Sequence, residues 1–514
     1  MRILLQNIFL KLEALFDRLF GPAWNPIRQL GTLAFFLFWV AAATGIYVYI
    51  LFDTSVAGAF PSVQRMTEQW YFAGVMRSLH RYASDAMVAT ALLHLVREFI
   101  FDRYRGIRWF AWITGIPILL FLFTSGISGY WLVWDQLAQY VAIGSMEWLD
   151  VLGIFGKPVA NNFLTPDSIN DRFFSLLVFV HIFVPLFLLF IMWMHVLRLS
   201  RPRINPPRGL AISCLIMLVV LSLAKPAISH APANLEMVPT ILHLDWFYML
   251  FYPLFDEWGA KTLWVVTGGV VLIFAALPWI PPLKQPKAAS VNLDKCNGCA
   301  RCFDDCPYGA ITMMPRSDGL PFEREAIVDP SVCSRCGVCV GACPVSSPFR
   351  QLSDLESAIE MPDYSLANLR TMIDQAQESL KSSSSKDESK VIVVGCDHSV
   401  DTKQIKDDRV VGVQLPCIGM LPPSFIDYML SEGGFDGVVL SGCREGGCYH
   451  RLGLRWTQER IAGLRDPYLR KRVPRERLLK CWASRTEIAR LQAEIDAFKT
   501  SLKEHKVESV EGGR

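Results

Sequence analysis

Residues 80–94 read HRYASDAMVATALLH, two histidines fourteen positions apart in a stretch that is otherwise mostly apolar. On a helix fourteen residues make nearly four turns, so both imidazoles face one side about 21 Å apart. Residues 181–195, HIFVPLFLLFIMWMH, repeat the interval with His181 and His195. A polar ring in a hydrocarbon segment is costly without a partner or a function. Two such helices crossing a membrane in the same sense bring His80 to His181 near one face and His94 to His195 near the other. Each pair can then supply both axial ligands to a haem iron.

The rest of the N-terminal half supports that placement. Apolar runs at 33–51, 109–134, 173–197 and 262–283 are long enough to cross a hydrocarbon core of about 30 Å. Residues 71–96, which carry the opening stretch, and the shorter 209–224, tilted or extended into KPAIS, complete six predicted spans, so both termini lie on one side. The loop at 97–108 carries Arg97, Arg103, Arg105 and Arg108, and the loop at 198–208 carries Arg198, Arg201, Arg203 and Arg208. The long loop at 135–171 sets only Lys157 against Asp135, Glu147, Asp150, Asp167 and Asp171. The positive-inside rule therefore puts the basic loops, the N-terminus and everything after residue 283 on the cytoplasmic side of a prokaryotic inner membrane. The first 29 residues, without an uninterrupted apolar core or small-residue cleavage site, read as an amphipathic lead-in rather than a signal peptide. The net charge of +3 over 514 residues, with no basic tract interleaved with aromatics, argues against a nucleic-acid partner and leaves membrane lipid.

Glycines share the histidine interval: Gly31 and Gly45 on the first span, Gly115 and Gly129 on the third. Absent side chains at those heights let flat macrocycles lie against the backbone, although small residues also serve helix packing. Arg77, Arg81 and Arg97 are candidates for haem propionates, or simply snorkel. The count implied is two b haems. The absence of a CXXCH motif argues against a thioether-linked haem.

The segments VMRSLHRYASDAMVATALLHLVR and GISGYWLVWDQ resemble those around the second and third helices of the cytochrome b family of quinol-oxidising complexes, and the resemblance covers residues 1 to about 283. It implies haems within the first four helices and quinone sites near each membrane face. Residues 243–255, HLDWFYMLFYPLF, resemble the family's outer quinol-site loop, whose recurring sequence is Pro-Glu-Trp-Tyr. Here Leu244 and Asp245 replace the proline and glutamate and Phe247 follows Trp246, so Asp245 is the candidate quinol-proton acceptor and the signature is altered. The family's arginine five residues before the histidine is also displaced, with Arg172 standing nine before His181. Apart from the resemblance, membrane haems need a lipid-soluble donor or acceptor, which points to a quinone. The aromatics Trp246, Phe247, Tyr248, Phe251 and Tyr252 also fit an interface belt.

Beyond Pro286 thirteen of the fourteen cysteines appear. CNGCARCFDDCP and CSRCGVCVGACP have the two-cluster ferredoxin spacing, in which the fourth cysteine of each run ligates the other cluster. Cys296, Cys299, Cys302 and Cys343 are thus expected to hold one [4Fe-4S] cluster, and Cys333, Cys336, Cys339 and Cys306 the second. CXXC pairs also suit zinc, but the paired runs favour iron–sulfur.

Residues 346–390 read as a partly helical connector ending in the polar tract SLKSSSSKDESK, with little material for a core. KVIVVG, VVGVQL and DGVVLS then read as buried strands of a small α/β domain. Cys396, Cys417, Cys443 and Cys448 sit where strands end, as cluster ligands or as ordinary core cysteines. Cys481 reads as packing. GCREGGCYH and LPCIGMLPPSFIDYML resemble the small iron–sulfur subunit that connects hydrogenase to heterodisulfide reductase in methanogens, across residues 391 to about 500. The resemblance implies one [2Fe-2S] cluster relaying electrons to a flavoprotein. The family's first motif has several cysteines where this chain has only Cys396.

The expected protein is therefore multi-domain: an all-α transmembrane helical bundle at 1–283, a bacterial ferredoxin-like domain at 284–350, a linker at 351–390 and a small α/β iron–sulfur domain at 391–514. The expected function is electron transfer between a quinone pool and a heterodisulfide-reductase-like flavin/iron–sulfur protein or other soluble oxidoreductase. No nucleotide-binding GXGXXG and no Ser-His-Asp arrangement is present, which leaves substrate oxidation to a partner. Two other readings are a relay between proteins without a quinone site, and a docking scaffold.

Overall fold

A computed structural model describes residues 2–154, 156, 158–245, 248–280, 286–381 and 389–511. The chain forms two compact units: Ile8–Leu197 with Pro202–Pro282, and Leu283–Arg514 with Met1–Asn7 and Arg198–Arg201.

The first unit is all helical. Its helices are α1 (Arg2–Phe20), α2 (Leu30–Leu51), α3 (Ala59–Glu68), α4 (Ala73–Ile100), α5 (Trp109–Val133), α6 (Gln136–Asp150), α7 (Val159–Phe163), α8 (Asp171–Val196), α9 (Arg208–Ala224), α10 (Phe251–Trp258) and α11 (Ala260–Ala276). Four segments, Leu30–Leu51, Gly106–Val133, Asp171–Val196 and Ala260–Trp279, are long and apolar enough to cross a membrane, so the protein is a multi-pass membrane protein. Helix α4 has 28 residues, a length of about 42 Å at the helical rise. It carries the charges of Arg77, Arg81 and Asp85, which it can hold because neighbours cover it: α4 packs along α2 and against α9, while α5 packs along α8. A histidine-bearing helix thus lies beside a glycine-bearing one in each pair.

Several expected boundaries move. The span at 209–224 does not extend into KPAIS: α9 ends at Ala224, because the residue before Pro226 is driven out of the helical region. The acidic segment at 135–171 is no simple loop. Asp135 caps α6 by accepting from the Ala138 N–H, and α6 packs on α5 and α10. The lead-in is helical as α1, and its buried Glu13 meets Arg97 of α4 at 2.8 Å. Lys157, Trp246 and Phe247 lie outside the described residues.

The second unit begins with a ferredoxin-like α/β segment. Strands β1 (Ser290–Val291), β2 (Ile311–Pro315) and β3 (Arg324–Val328) accompany the short helices α12 (Arg301–Asp305) and α13 (Val338–Ala342). β2 and β3 pair antiparallel, and β1 pairs with β4 (Ile359–Glu360). A four-stranded parallel sheet follows, ordered β6 (Val410–Leu415), β5 (Val391–Cys396), β7 (Gly437–Gly442), β8 (Leu478–Trp482). β5 and β7 are buried throughout, as central parallel strands must be when both faces are covered. Helices α14 (Leu366–Lys381), α15 (Pro423–Ser431), α16 (Gly453–Ile461) and α17 (Ile488–Glu511) complete the unit.

The connector at 351–390 does not behave as a free linker. β4 closes a sheet with β1, and α14 lies against β6 with Leu366, Leu369, Ile373 and Leu380 in the main core. Its apolar residues recur at helical spacing, which the polar tract after it obscured. Residues 382–388 of that tract lie outside the described residues.

Candidate functional site

The four histidines and four glycines meet as two layers. In one, the His80 and His181 rings stand 6.4 Å apart between centroids. Two metal–imidazole bonds of about 2 Å each, with the half-widths of two rings, span about 6 Å, so the pair fits an iron between them. Every glycine faces an imidazole: a Cβ at Gly45 would come within 2.9 Å of His80 Cε1, at Gly129 within 3.0 Å of His181, at Gly31 within 3.3 Å of His94 and at Gly115 within 3.5 Å of His195. The glycines thus make room for the imidazole rings themselves.

Three imidazoles are held from behind. His80 Nδ1 donates to the Ala41 carbonyl at 2.8 Å, with Thr44 Oγ1 3.4 Å away. Ser128 Oγ lies 3.0 Å from His181 Nδ1 and Thr114 Oγ1 3.0 Å from His195 Nδ1. Each hydroxyl also bonds a carbonyl one turn back on its own helix. These bonds fix the tautomer and aim Nε2 into the bundle, as the outer partners of metal-binding histidines do. Sequence reading passed over them, yet a signal exists: Thr44-Gly45, Thr114-Gly115 and Ser128-Gly129 are all hydroxyl–glycine pairs.

Beside the His80 layer, Asp245 Oδ2 accepts from Arg81 Nη2 at 2.7 Å and from the Tyr130 hydroxyl at 2.9 Å. Arg81 also bonds Asp85 at 3.1 Å and lies 4.5 Å over the Tyr130 ring. Arg77 donates to Thr67 and Ser229, and Arg97 pairs with Glu13, so these arginines are engaged by protein groups. Tyr248 packs into the space left by Gly126, and its hydroxyl bonds the Ser84 carbonyl at 3.2 Å. Phe251 stacks on Trp148 and Tyr252 bonds Ser145. Arg172 is exposed at the start of α8. His230 and His243 also lie together, at 6.0 Å between rings, with His230 beside Asp135.

In the second unit Cys296, Cys299, Cys302 and Cys343 line one small pocket that opens partly to solvent. Cys306, Cys333, Cys336 and Cys339 are buried electrostatic neighbours of one another. The fourth cysteine of each run therefore stands with the other run's three. Burial pushes the Cys302 and Cys336 thiols up to about 12. Metal binding has to displace those protons, as ligation by thiolate requires.

Three adjacent parallel strands deliver the remaining cysteines. Cys396 ends β5, Cys417 stands two residues beyond β6 and Cys443 directly follows β7, the carboxyl edge where open α/β sheets bind ligands. Cys396 Sγ lies 3.9 Å from Cys443 Sγ, and the thiols of Cys417 and Cys448 close the group. Cys481 sits apart in β8, buried in the second core. Four sulfurs suit iron–sulfur ligation. Among the described residues no three His, Cys, Asp or Glu side chains close around a single metal ion.

Residues 16–202 match the family described as cytochrome b/b6/petB. The chain is 30% identical over 190 residues to cytochrome b6 of Auxenochlorella protothecoides, covering 36% of this chain and 87% of that protein. The chain belongs to the cytochrome b/b6 family. Cytochrome b6 of Prochlorothrix hollandica is 28% identical over 209 residues, covering 39% of this chain and 93% of its own. A solved structure, described as hyperthermophilic respiratory Complex III, aligns at a TM-score of 0.40 and 20% identity over 49% of this chain and 74% of that one. Behind the cytochrome b domain, residues 295–347 match a 4Fe-4S dicluster domain. Residues 394–505 match the delta subunit of methyl-viologen-reducing hydrogenase. The chain is thus a fusion of a cytochrome b-like membrane domain, a 4Fe-4S ferredoxin-like domain and a hydrogenase-delta-like domain, a composition suited to electron transfer.

Proposed function

We propose that this cytochrome b fusion is the membrane-anchored, quinone-reactive subunit of an oxidoreductase complex. It passes electrons between a quinone pool and a cytoplasmic heterodisulfide-reductase-like or similar flavin/iron–sulfur partner. The convergence of His80 on His181, at ligand distance and with both Nδ1 atoms engaged, carries the reading. His80 with His181 and His94 with His195 would hold two b haems. Cys296, Cys299, Cys302 and Cys343 would hold one [4Fe-4S] cluster, Cys333, Cys336, Cys339 and Cys306 a second, and Cys396, Cys417, Cys443 and Cys448 a [2Fe-2S] cluster. Those groups, when bound, supply the one-electron chemistry.

The chain's own residues supply position and proton handling. Asp245 takes a proton from a quinol hydroxyl, or returns one in the opposite direction, while Arg81 and Tyr130 aim its carboxylate through Oδ2. The basic loops set the iron–sulfur unit on the cytoplasmic side. The test is anaerobic mixing of the purified full-length protein with a short-chain quinol, following the b-haem absorption. The wild type is expected to be reduced. Asp245→Asn should slow reduction roughly 10²–10⁴-fold, the loss typical of a removed general base, at unchanged haem content. Reduction at an unaltered rate in Asp245→Asn would overturn the proton role. Haems that dithionite reduces and quinol does not would overturn the quinone reaction.

A further inference from the structure

The second unit contains a buried junction that the electron-transfer reading does not use. Arg460 of α16 is 1% exposed and Asp305, next to Cys306, is 2% exposed. They form an ion pair, and Arg460 Nη1 also donates to the Gly419 carbonyl at 3.0 Å. Gly419 stands two residues after Cys417. One fixed cation therefore joins the neighbour of a ferredoxin cysteine to the neighbour of a C-terminal-domain cysteine. Trp456 donates to the Asp305 carbonyl at 3.1 Å and packs with Cys336, Val338 and Cys417 in one small core. Arg465 lies 3.4 Å over the Trp456 ring and pairs with the other Asp305 oxygen at 2.6 Å.

Glycines bring the backbones together here. A Cβ at Gly341 would overlap the Gly419 carbonyl, one at Gly453 would overlap Cys417 Sγ, and one at Gly419 would come within 2.8 Å of the Gly453 backbone. Of these, the Gly341 contact is the one that crosses between the two segments, and a side chain there would push the ferredoxin backbone off the Gly419 turn.

We propose that the Arg460–Asp305 pair positions the C-terminal thiolate group directly against the Cys306/Cys333/Cys336/Cys339 group, so that electrons cross between Cys417 and Cys336. The order of centres is then C-terminal, second ferredoxin, first ferredoxin. This rests on the reading above that both groups bind iron–sulfur clusters. Each crossing oxidises one centre by one electron and reduces the other by one, with no proton or bond change. Electrons are supplied by the flavin/iron–sulfur partner and removed by the haems, or the reverse. Buried beside both centres, the Arg460 cation also favours their reduced forms, since charge and hydrogen bonding set cluster potentials.

The test is redox-poised EPR on the full-length detergent-purified protein. In the wild type the C-terminal signal is expected to broaden as the second ferredoxin centre is reduced. Cys299→Ser, which changes a first-centre ligand, should leave that broadening intact. Arg460→Met should lower the midpoint potentials of the C-terminal and second centres and leave the first unmoved, and Arg460→Lys should restore them. If Arg460→Met loses iron, the double variant with Asp305→Asn removes both buried charges, and the broadening in the wild type and in Cys299→Ser decides the order alone. Broadening that follows the first centre would overturn the inference. So would equal shifts of all three centres, or no shift. Absence of cluster signals from the wild type would instead remove the functional reading, and this inference with it.

Discussion

Behind three of the ligand-ready imidazoles stands a hydroxyl, and the position of each gives it a measurable role. Thr114 Oγ1 already donates to the Phe110 carbonyl at 2.8 Å, so it receives the His195 Nδ1 proton. A partner accepting from Nδ1–H raises ligand basicity, which favours oxidised iron. Thr114→Val should therefore raise the midpoint potential of the haem proposed for His94 and His195 and leave the other unmoved, as a potentiometric optical titration would read. An unshifted His94/His195 haem, or equal shifts of both, would contradict the assignment. The glycine contacts predict a gradient. Gly45→Ala and Gly129→Ala press on His80 and His181 at 2.9 and 3.0 Å, Gly115→Ala on His195 at only 3.5 Å. The first two should shift the low-spin EPR lines of their haem or reduce its content, and Gly115→Ala should alter its own haem least.

Helices and strands show which features of the sequence spoke plainly and which did not. The fourteen-residue interval exposed α4 and α8 because a rigid helix turns spacing into direction, and the cysteine runs exposed the ferredoxin segment because cluster geometry tolerates few spacings. Strands β5, β6 and β7 were legible from their valine-rich runs, of which β5 and β7 are buried throughout. The Asp245–Arg81–Asp85–Tyr130 network was not, because its members come from three separate segments and meet only through tertiary packing. Helix α6 was hidden by acidic residues that mark loops and helix caps alike, and α14 by the serine-rich tract that follows it. That correction has an energetic consequence. Ile373 of α14 is fully buried, so Ile373→Ala should cost about 2–5 kcal/mol, read as a fall in the unfolding midpoint of the second unit's tryptophan signal. A loss within about 0.5 kcal/mol, the size of a surface change, would return α14 to the status of a linker. Between α1 and α4, Glu13→Ala leaves the buried Arg97 without its 2.8 Å partner. Breaking such a pair typically costs about 3–5 kcal/mol, so the apparent melting temperature in detergent should drop by several degrees, while an unchanged melting curve would show that the pair does not tie α1 down.

At the scale of the whole molecule, a cytochrome b domain, a dicluster ferredoxin segment and a hydrogenase-delta-like domain stand in one chain. Each carries its own set of histidines or cysteines. Under the proposed function their value together depends on electrical continuity from the cysteine groups to a membrane quinone. The most direct measurement is a combined optical and EPR redox titration of the anaerobically purified full-length protein, poised with a quinol/quinone couple. Two low-spin bis-imidazole haems, two [4Fe-4S] signals and one [2Fe-2S] signal are expected, all moving with the quinol/quinone ratio. Clusters and haems that dithionite reduces but that stay oxidised at every quinol/quinone ratio would contradict the proposed function.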